Sequence, residues 1–137
     1  MLNKVMLIGN AGRDPEIRHL ENGTAVVTLP IATTERFKDR NGELKEQTEW
    51  HTVVFWRNLA EIVEKHVRKG SQLYIEGRLR TRSWEDQSGQ KRVMTEIVAE
   101  TMRLLGRRPE SQEPRNTPVA AATDAIVDTD DGDDLPF

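Results

Sequence analysis

The sequence predicts an all-β domain: a five-stranded Greek-key barrel with one α-helix between its third and fourth strands, followed by a disordered acidic C-terminal tail. Three observations carry this expectation. Over most of the first 105 positions the apolar residues fall in short or alternating runs of the kind strands use. Those runs are punctuated by turn signals at Asn22-Gly23, Asn41-Gly42 and Asp86 to Gly89. One stretch alone, Leu59 to Val67, follows a 3.6-residue period.

The first strand is the apolar run of residues 4–8, closed by a kink at Gly9-Asn10. Residues 16–20 make a further short extended piece. Asn22-Gly23 then reads as a type I′ hairpin turn, because both residues tolerate positive φ. Ala25, Val27, Leu29 and Ile31 alternate with less apolar neighbours, which gives a second long strand through about Phe37. Lys45 to Arg57 forms the third, after the Asn41-Gly42 turn. In the helix, Leu59, Ile62, Val63, His66 and Val67 make one apolar face. Asn58 is suited to the N-cap with Glu61 completing a capping box, Lys65, Arg68 and Lys69 suit the C-terminal end of the dipole, and Gly70 suits closure. Ser71 to Trp84 is the fourth strand and Lys91 to Leu105 the fifth. Three strands, a helix and two strands is the element order of an oligonucleotide-binding (OB) barrel, although other small barrels share parts of it.

Charge divides the chain. Residues 1–108 hold 19 Lys+Arg against 15 Asp+Glu, whereas residues 109–137 hold 1 against 8, so a mildly basic domain carries a strongly acidic end. That end also holds Pro109, Pro114, Pro118 and Pro136 and has no strand or helix period, the composition of a solvated interaction tail. The expected organisation is a globular domain at 1–108, a linker at 109–129 and an acidic tip at 130–137. The chain has no cysteine, which excludes disulfides, Cys-based zinc sites and thiol nucleophiles, and suits a reducing cytosol. No apolar run approaches the ~20 residues of a membrane span, and the N-terminal run is too short for a signal peptide. His19, His51 and His66 lack ligand spacing, residues 128–134 lack the terminal Glu of a calcium loop, and no Walker-type loop or Ser-His-Asp order stands out. No metal, cofactor or catalytic activity is therefore expected.

Aromatic and cationic residues share strand faces. Trp50, Thr52, Val54 and Trp56 alternate onto one face, with the two tryptophans about 20 Å apart at ~3.3 Å per residue. Arg78, Arg80, Arg82 and Trp84 make another face that cannot be core, because buried unpaired charges are too costly. Gly77 reads as a bulge just before it. Phe37 stands at a loop end beside Lys38, Arg40 and Lys45. Any one of these residues alone fits a core aromatic or a solvated cation. Together they fit a groove in which rings stack on unpaired bases and cations track phosphates.

The sequence resembles the bacterial single-stranded DNA-binding protein family. The resemblance lies in Asn3-Lys4-Val5, Gly9-Asn10, Asp14 to Arg18, Glu46 to His51, Arg68 to Gln72, Tyr74 to Gly77, Leu79 to Arg82, Trp84, Asp86 to Gly89 and the terminal Leu135-Pro136-Phe137 behind aspartates. It implies that Phe37, Trp50, Trp56 and Trp84 stack on bases, and that Lys38, Arg40, Lys45, Lys69, Arg80 and Arg82 lie at or near backbone-contacting cations. Asn58 and Ser83 depart from the pattern, since many relatives carry Lys there, which bears on the number of phosphate contacts. It further implies a homotetramer, with His51, Gln72 and Tyr74 at subunit interfaces, and a nucleoid-associated cytoplasmic protein without catalytic activity.

The tip suggests a second role. Asp130, Asp131, Asp133 and Asp134 precede Leu135, Pro136 and Phe137, and an apolar ring beside a terminal carboxylate suits an apolar pocket ringed by cations. The resemblance implies partners there among replication, recombination and repair proteins: helicases, nucleases, primase and polymerase accessory subunits. Two rivals stand beside this reading. An RNA-binding barrel shares the stacking physics. A protein-only adaptor barrel predicts no response of the tryptophans to oligonucleotides.

Overall fold

The computed structural model describes residues 1–106. The linker (109–129) and tip (130–137) expected from the sequence lie outside the described residues. Six strands and one helix follow the expected order: β1 (Val5–Ala11), β2 (Ile17–His19), β3 (Ala25–Lys38), β4 (Leu44–Trp56), α1 (Asn58–His66), β5 (Gln72–Glu85) and β6 (Lys91–Leu105). Five of the strands close a barrel in the order β1-β5-β6-β4-β3, with β1 returning to β3, while β2 lies outside on β3. Every pairing is antiparallel except β4 with β6.

The core is the inward face of these strands. Val27 and Phe55 are directly paired, as are Leu29 and Val53, and all four are fully buried with Ile31, Leu73 and Ile75. At ~1.5–3 kcal/mol for each large apolar side chain, this face dominates folding. Helix α1 contributes Ala60 and Val63, and Val67 just beyond it, to the same cluster. Its buried stripe is rotated from the expected one. Ala60 is buried, whereas Ile62 and His66 are exposed, because the small Ala60 lets that side of the helix approach the barrel.

Glycines set the closure. The expected kink at Gly9 is instead a continuous strand that pairs with β5 through Asn10 and meets β3 at Asn10 and Ala11. A Cβ on Gly9 would press the Ala32 carbonyl, so only glycine allows β1 to approach β3 this closely. Gly77 marks the expected bulge, where the β5–β6 register shifts.

The hairpins fall where expected, but the turn type differs. In each, a glycine N–H donates to the carbonyl three residues back: Gly23 to Leu20 (2.8 Å), Gly42 to Asp39 (3.1 Å) and Gly89 to Asp86 (3.0 Å). Among the residues of these turns only the glycines take positive φ, at 81°, 76° and 80°. A type I′ turn needs positive φ at both central residues, so Asn22-Gly23 is instead a type I turn closed by a glycine bulge. The Asp39 and Asp86 carboxylates reinforce two of the turns by accepting N–H bonds two and four residues on.

The capping box at Asn58 does not form. Arg57 is the N-cap, at φ 57° and ψ −126°, with no side-chain cap bond. Strand β4 runs to Trp56 and the Arg57 N–H donates to the Ala25 carbonyl at 2.8 Å, so the chain must turn at that one residue and Asn58 is already helical. Gly70 does not close the helix either, since α1 ends at His66, and Gly70 shapes the following turn. The Arg68 guanidinium satisfies the Glu64 and Val67 carbonyls at the helix end.

Candidate nucleic-acid interface

Strand register assembles the three tryptophans with Arg80 and Arg82 into one outward face. On β4, Trp50, Thr52, Val54 and Trp56 alternate outward, opposite the core residues Val53 and Phe55. Val54 pairs with Val98 of β6, and Val98 pairs with Arg78 of β5. The same phase then places Arg80 opposite Glu96, Arg82 opposite Met94 and Trp84 opposite Arg92. Trp50 and Trp84, about 59% and 44% exposed, thus belong to one continuous sheet face with the half-buried Trp56. Val26, Val54 and Val98 are buried outside the core cluster and form the apolar floor of this face.

Two arginines lie against tryptophans. The Arg80 guanidinium carbon is 5.9 Å from the Trp56 ring centroid, and that of Arg82 is 5.5 Å from Trp84. These are cation–π distances. Arg80 Nη2 also donates to Glu96 Oε1 at 2.7 Å, and Arg82 Nε lies 3.5 Å from Glu96 Oε2. Glu96 went unnoticed in the sequence. Its signal was available, because Met94, Glu96 and Val98 alternate in phase with the outward arginines once β5 and β6 are paired.

Trp50 is set by its surroundings. A Cβ built on Gly12 would fall 2.6 Å from Trp50 Cζ3 and 3.2 Å from Pro30 Cγ, so the outer ring of the indole takes the space that a side chain there would need. Gly12 is a second residue of the site that no pattern in the sequence marks. Arg13 beside it donates to the Thr28 carbonyl at 3.0 Å.

The β3–β4 arm carries the remaining candidates, on both of its faces. Phe37 pairs with Lys45 and so has the opposite phase to Trp50 and Trp56, whereas Lys38 pairs with Leu44 in the tryptophans' phase. Lys45 is drawn to Asp39 at 3.3 Å. Lys38, Arg40 and Lys69 are exposed and make no ion pair among the described residues. The Lys69 N–H donates to Asp14 Oδ1 at 2.8 Å, which holds its turn beside the start of the Gly12 loop.

The expected interface residues divide between two places. Gln72 and Tyr74 lie on the outer face of the β1–β5 ladder, across from Asn10 and Ile8. Exposed Met6 and Ile8 share that face. The Tyr74 hydroxyl donates to Glu76, whose other oxygen is 3.6 Å from Lys4 Nζ. The hydrogen bond to Glu76 pushes the Tyr74 hydroxyl pKa up, and the same bond, then Lys4, pulls the Glu76 carboxyl down. His51 is instead on the β3–β4 ladder, its Nε2 2.8 Å from Thr33 Oγ1.

Among the described residues no group of His, Asp or Glu is arranged to hold a metal ion, and no helix is long and apolar enough to cross a membrane.

Residues 2–105 match the model of the single-strand binding protein family. Single-stranded DNA-binding protein 1 of Xylella fastidiosa (strain 9a5c) is 50% identical over 116 residues, which is 84% of this chain and 85% of that protein. A Plasmodium falciparum SSB solved in complex with ssDNA superposes with a TM-score of 0.71 at 38% identity, over 77% of this chain and 97% of that one. A deletion variant of the single-stranded DNA binding protein from Thermus aquaticus superposes with a TM-score of 0.68 at 32% identity, over 78% of this chain and 52% of that one. With the barrel topology, the aromatic face and these matches in hand, the chain belongs to the single-strand binding protein family.

Proposed function

We propose that the protein binds single-stranded DNA without sequence preference, coats and protects it, and acts without catalysis. The observation that carries this is the outward face on which Trp50, Trp56 and Trp84 combine with Arg80 and Arg82 over an apolar floor. Lys38 and Arg40 on the β3–β4 arm, and Lys69 by the Gly12 loop, extend the path of the DNA, which wraps the arm to reach Phe37 and Lys45 on its other face. Stacking on such rings is worth ~1–3 kcal/mol per base, a value general to single-strand-binding barrels rather than worked out from this chain. Stacked bases must be unpaired, so duplex competes poorly. The kinship with a P. falciparum SSB solved with ssDNA supports the same reading.

Assembly and recruitment complete the proposal. A homotetramer uses the apolar Met6 and Ile8 with Gln72 and Tyr74, and His51 at a second contact. Residues 1–108 form the binding and assembly domain, and 109–129 tether the tip. Residues 130–137 dock DNA replication, recombination and repair proteins through Phe137 and the surrounding aspartates. The protein works in the bacterial cytoplasm, on the nucleoid.

Titration of tryptophan fluorescence with poly(dT), with duplex DNA and poly(U) as competitors, tests the binding. Strong quenching that resists both competitors is expected. No quenching at low salt would give the protein-only adaptor reading, and equal competition by poly(U) the RNA reading. Sedimentation equilibrium tests the tetramer, and a sedimenting monomer refutes it.

A further inference from the structure

Glu96 is out of place on the outward face. Its side chain is 2% exposed, although those of Arg80 and Arg82 on either side are about half exposed. Burying a carboxylate is costly unless it is paired. The sheet itself does not need a charge there, since the neighbouring pair on the other face, Thr81 and Thr95, is joined by hydroxyls 3.1 Å apart. A negative charge beside two cations also works against the attraction of phosphates. What the carboxylate does supply is geometry. One oxygen takes Arg80 and the other takes Arg82, and each of those arginines lies over a different tryptophan.

We infer that Glu96 is a positioning residue of the DNA-binding face: it holds Arg80 against Trp56 and Arg82 against Trp84, so that two arginine–tryptophan platforms meet the strand preformed and together present one net positive charge rather than two. This rests on the proposed single-strand binding and deepens it. Two arginines two residues apart on one strand repel each other and, left free, sweep through many rotamers. Tied to a common buried anion, their planes are fixed before any base arrives, and that ordering is not charged against binding.

The test uses the full chain and the isosteric Glu96→Gln variant. In the free protein, the near-ultraviolet circular dichroism of the tryptophans weakens, while the far-ultraviolet spectrum is kept. Against poly(dT), the log-affinity versus log-salt slope steepens by about 0.7, the share of one additional phosphate. Over a fourfold rise in salt the variant therefore loses about 2.6-fold more affinity than the wild type. The two lines cross, with Glu96→Gln tighter at low salt and weaker at high salt. Glu96→Asp keeps the charge on a shorter arm, so it keeps the wild-type slope but binds more weakly at every salt. A Glu96→Gln slope within error of the wild type overturns the inference, whatever the near-ultraviolet spectrum shows. If Glu96→Gln does not fold, Glu96→Asp decides: wild-type binding overturns the inference and uniformly weaker binding supports it. Failure of the wild type itself to bind poly(dT) refutes the binding function, and this inference with it. Wild-type binding with parallel lines refutes the role of Glu96 alone.

Discussion

Replacing Gly12 by alanine moves one of the rings proposed to stack on bases and leaves the core untouched. The new Cβ would meet Trp50 Cζ3 at 2.6 Å and Cη2 at 3.0 Å, where ordinary contact begins at 3.4 Å, so the indole must withdraw by about 0.8 Å or more. Trp50 is about 59% exposed and free to tilt into solvent. The tilt costs ~0.5–1.5 kcal/mol of rotamer strain at most. What is lost is the ring's fixed place on the face. If the displaced indole forfeits its base, binding weakens by ~1–3 kcal/mol, the general value for one stacked base in such barrels, or about 5- to 150-fold. The assay pairs poly(dT) titration with thermal unfolding. Gly12→Ala should bind at least about fivefold more weakly with a midpoint within a few degrees of the wild type. In a Trp50→Ala background, adding Gly12→Ala should change affinity no further, since the ring it displaces is gone. Wild-type affinity for Gly12→Ala, or an equal loss with and without Trp50, would refute the placement of the indole over this glycine.

Other perturbations probe the barrel. Phe55→Ala empties a fully buried site paired with Val27, and urea unfolding should show a loss of ~3–5 kcal/mol; a loss under about 2 kcal/mol contradicts its place in the core. Arg57→Gly should raise stability by about 1 kcal/mol, because relief of ~1–3 kcal/mol at φ 57° exceeds the ~0.5–1 kcal/mol entropic cost of glycine; a destabilised variant refutes the strain. The Asp86 carboxyl is lowered from 3.8 to about 2 by the Ser88 hydroxyl, Arg92 and the Gln90 N–H. A lowered folded-state value means its contribution to stability is complete above pH 3.8 and is lost as the pH falls through about 2, so the NMR titration of Asp86 should have its midpoint near 2, and a midpoint near 3.8 would remove the turn's anchor.

What sequence could disclose depended on whether the cause was local. The β3 alternation from Ala25 to Ile31, the existence of a helix after Asn58 and the three glycine turns are set by near neighbours, and each appears where expected, although the helix buries a rotated stripe. The turn type was missed because Asn-Gly serves two hairpin geometries, and the flanking ladder selects between them. The helix cap was missed because the bond from Arg57 to Ala25 spans 32 positions and commits the chain one residue early. Within the site, the tryptophan and arginine faces follow from alternation along single strands. That these faces are one surface, that Phe37 faces away from them, and that Glu96 lies between the arginines all depend on register between strands, which no single strand encodes.

Strands β3 and β5 begin in the barrel and end beyond it, while their antiparallel partners β4 and β6 begin in the exposed arms and run inward. Strand β3 is buried from Ala25 to Val27 and exposed from Thr34 to Lys38, and β5 changes in the same way after Gly77. A single hydrogen-bonded ladder therefore spans two stability regimes. Amides near the closed end open only with global unfolding, whereas those of the arms open locally, against few apolar contacts. Amide exchange should rise along β3 from Val27 toward Lys38. A ligand that bridges the arms would slow exchange most at their tips, far from the residues that keep the protein folded.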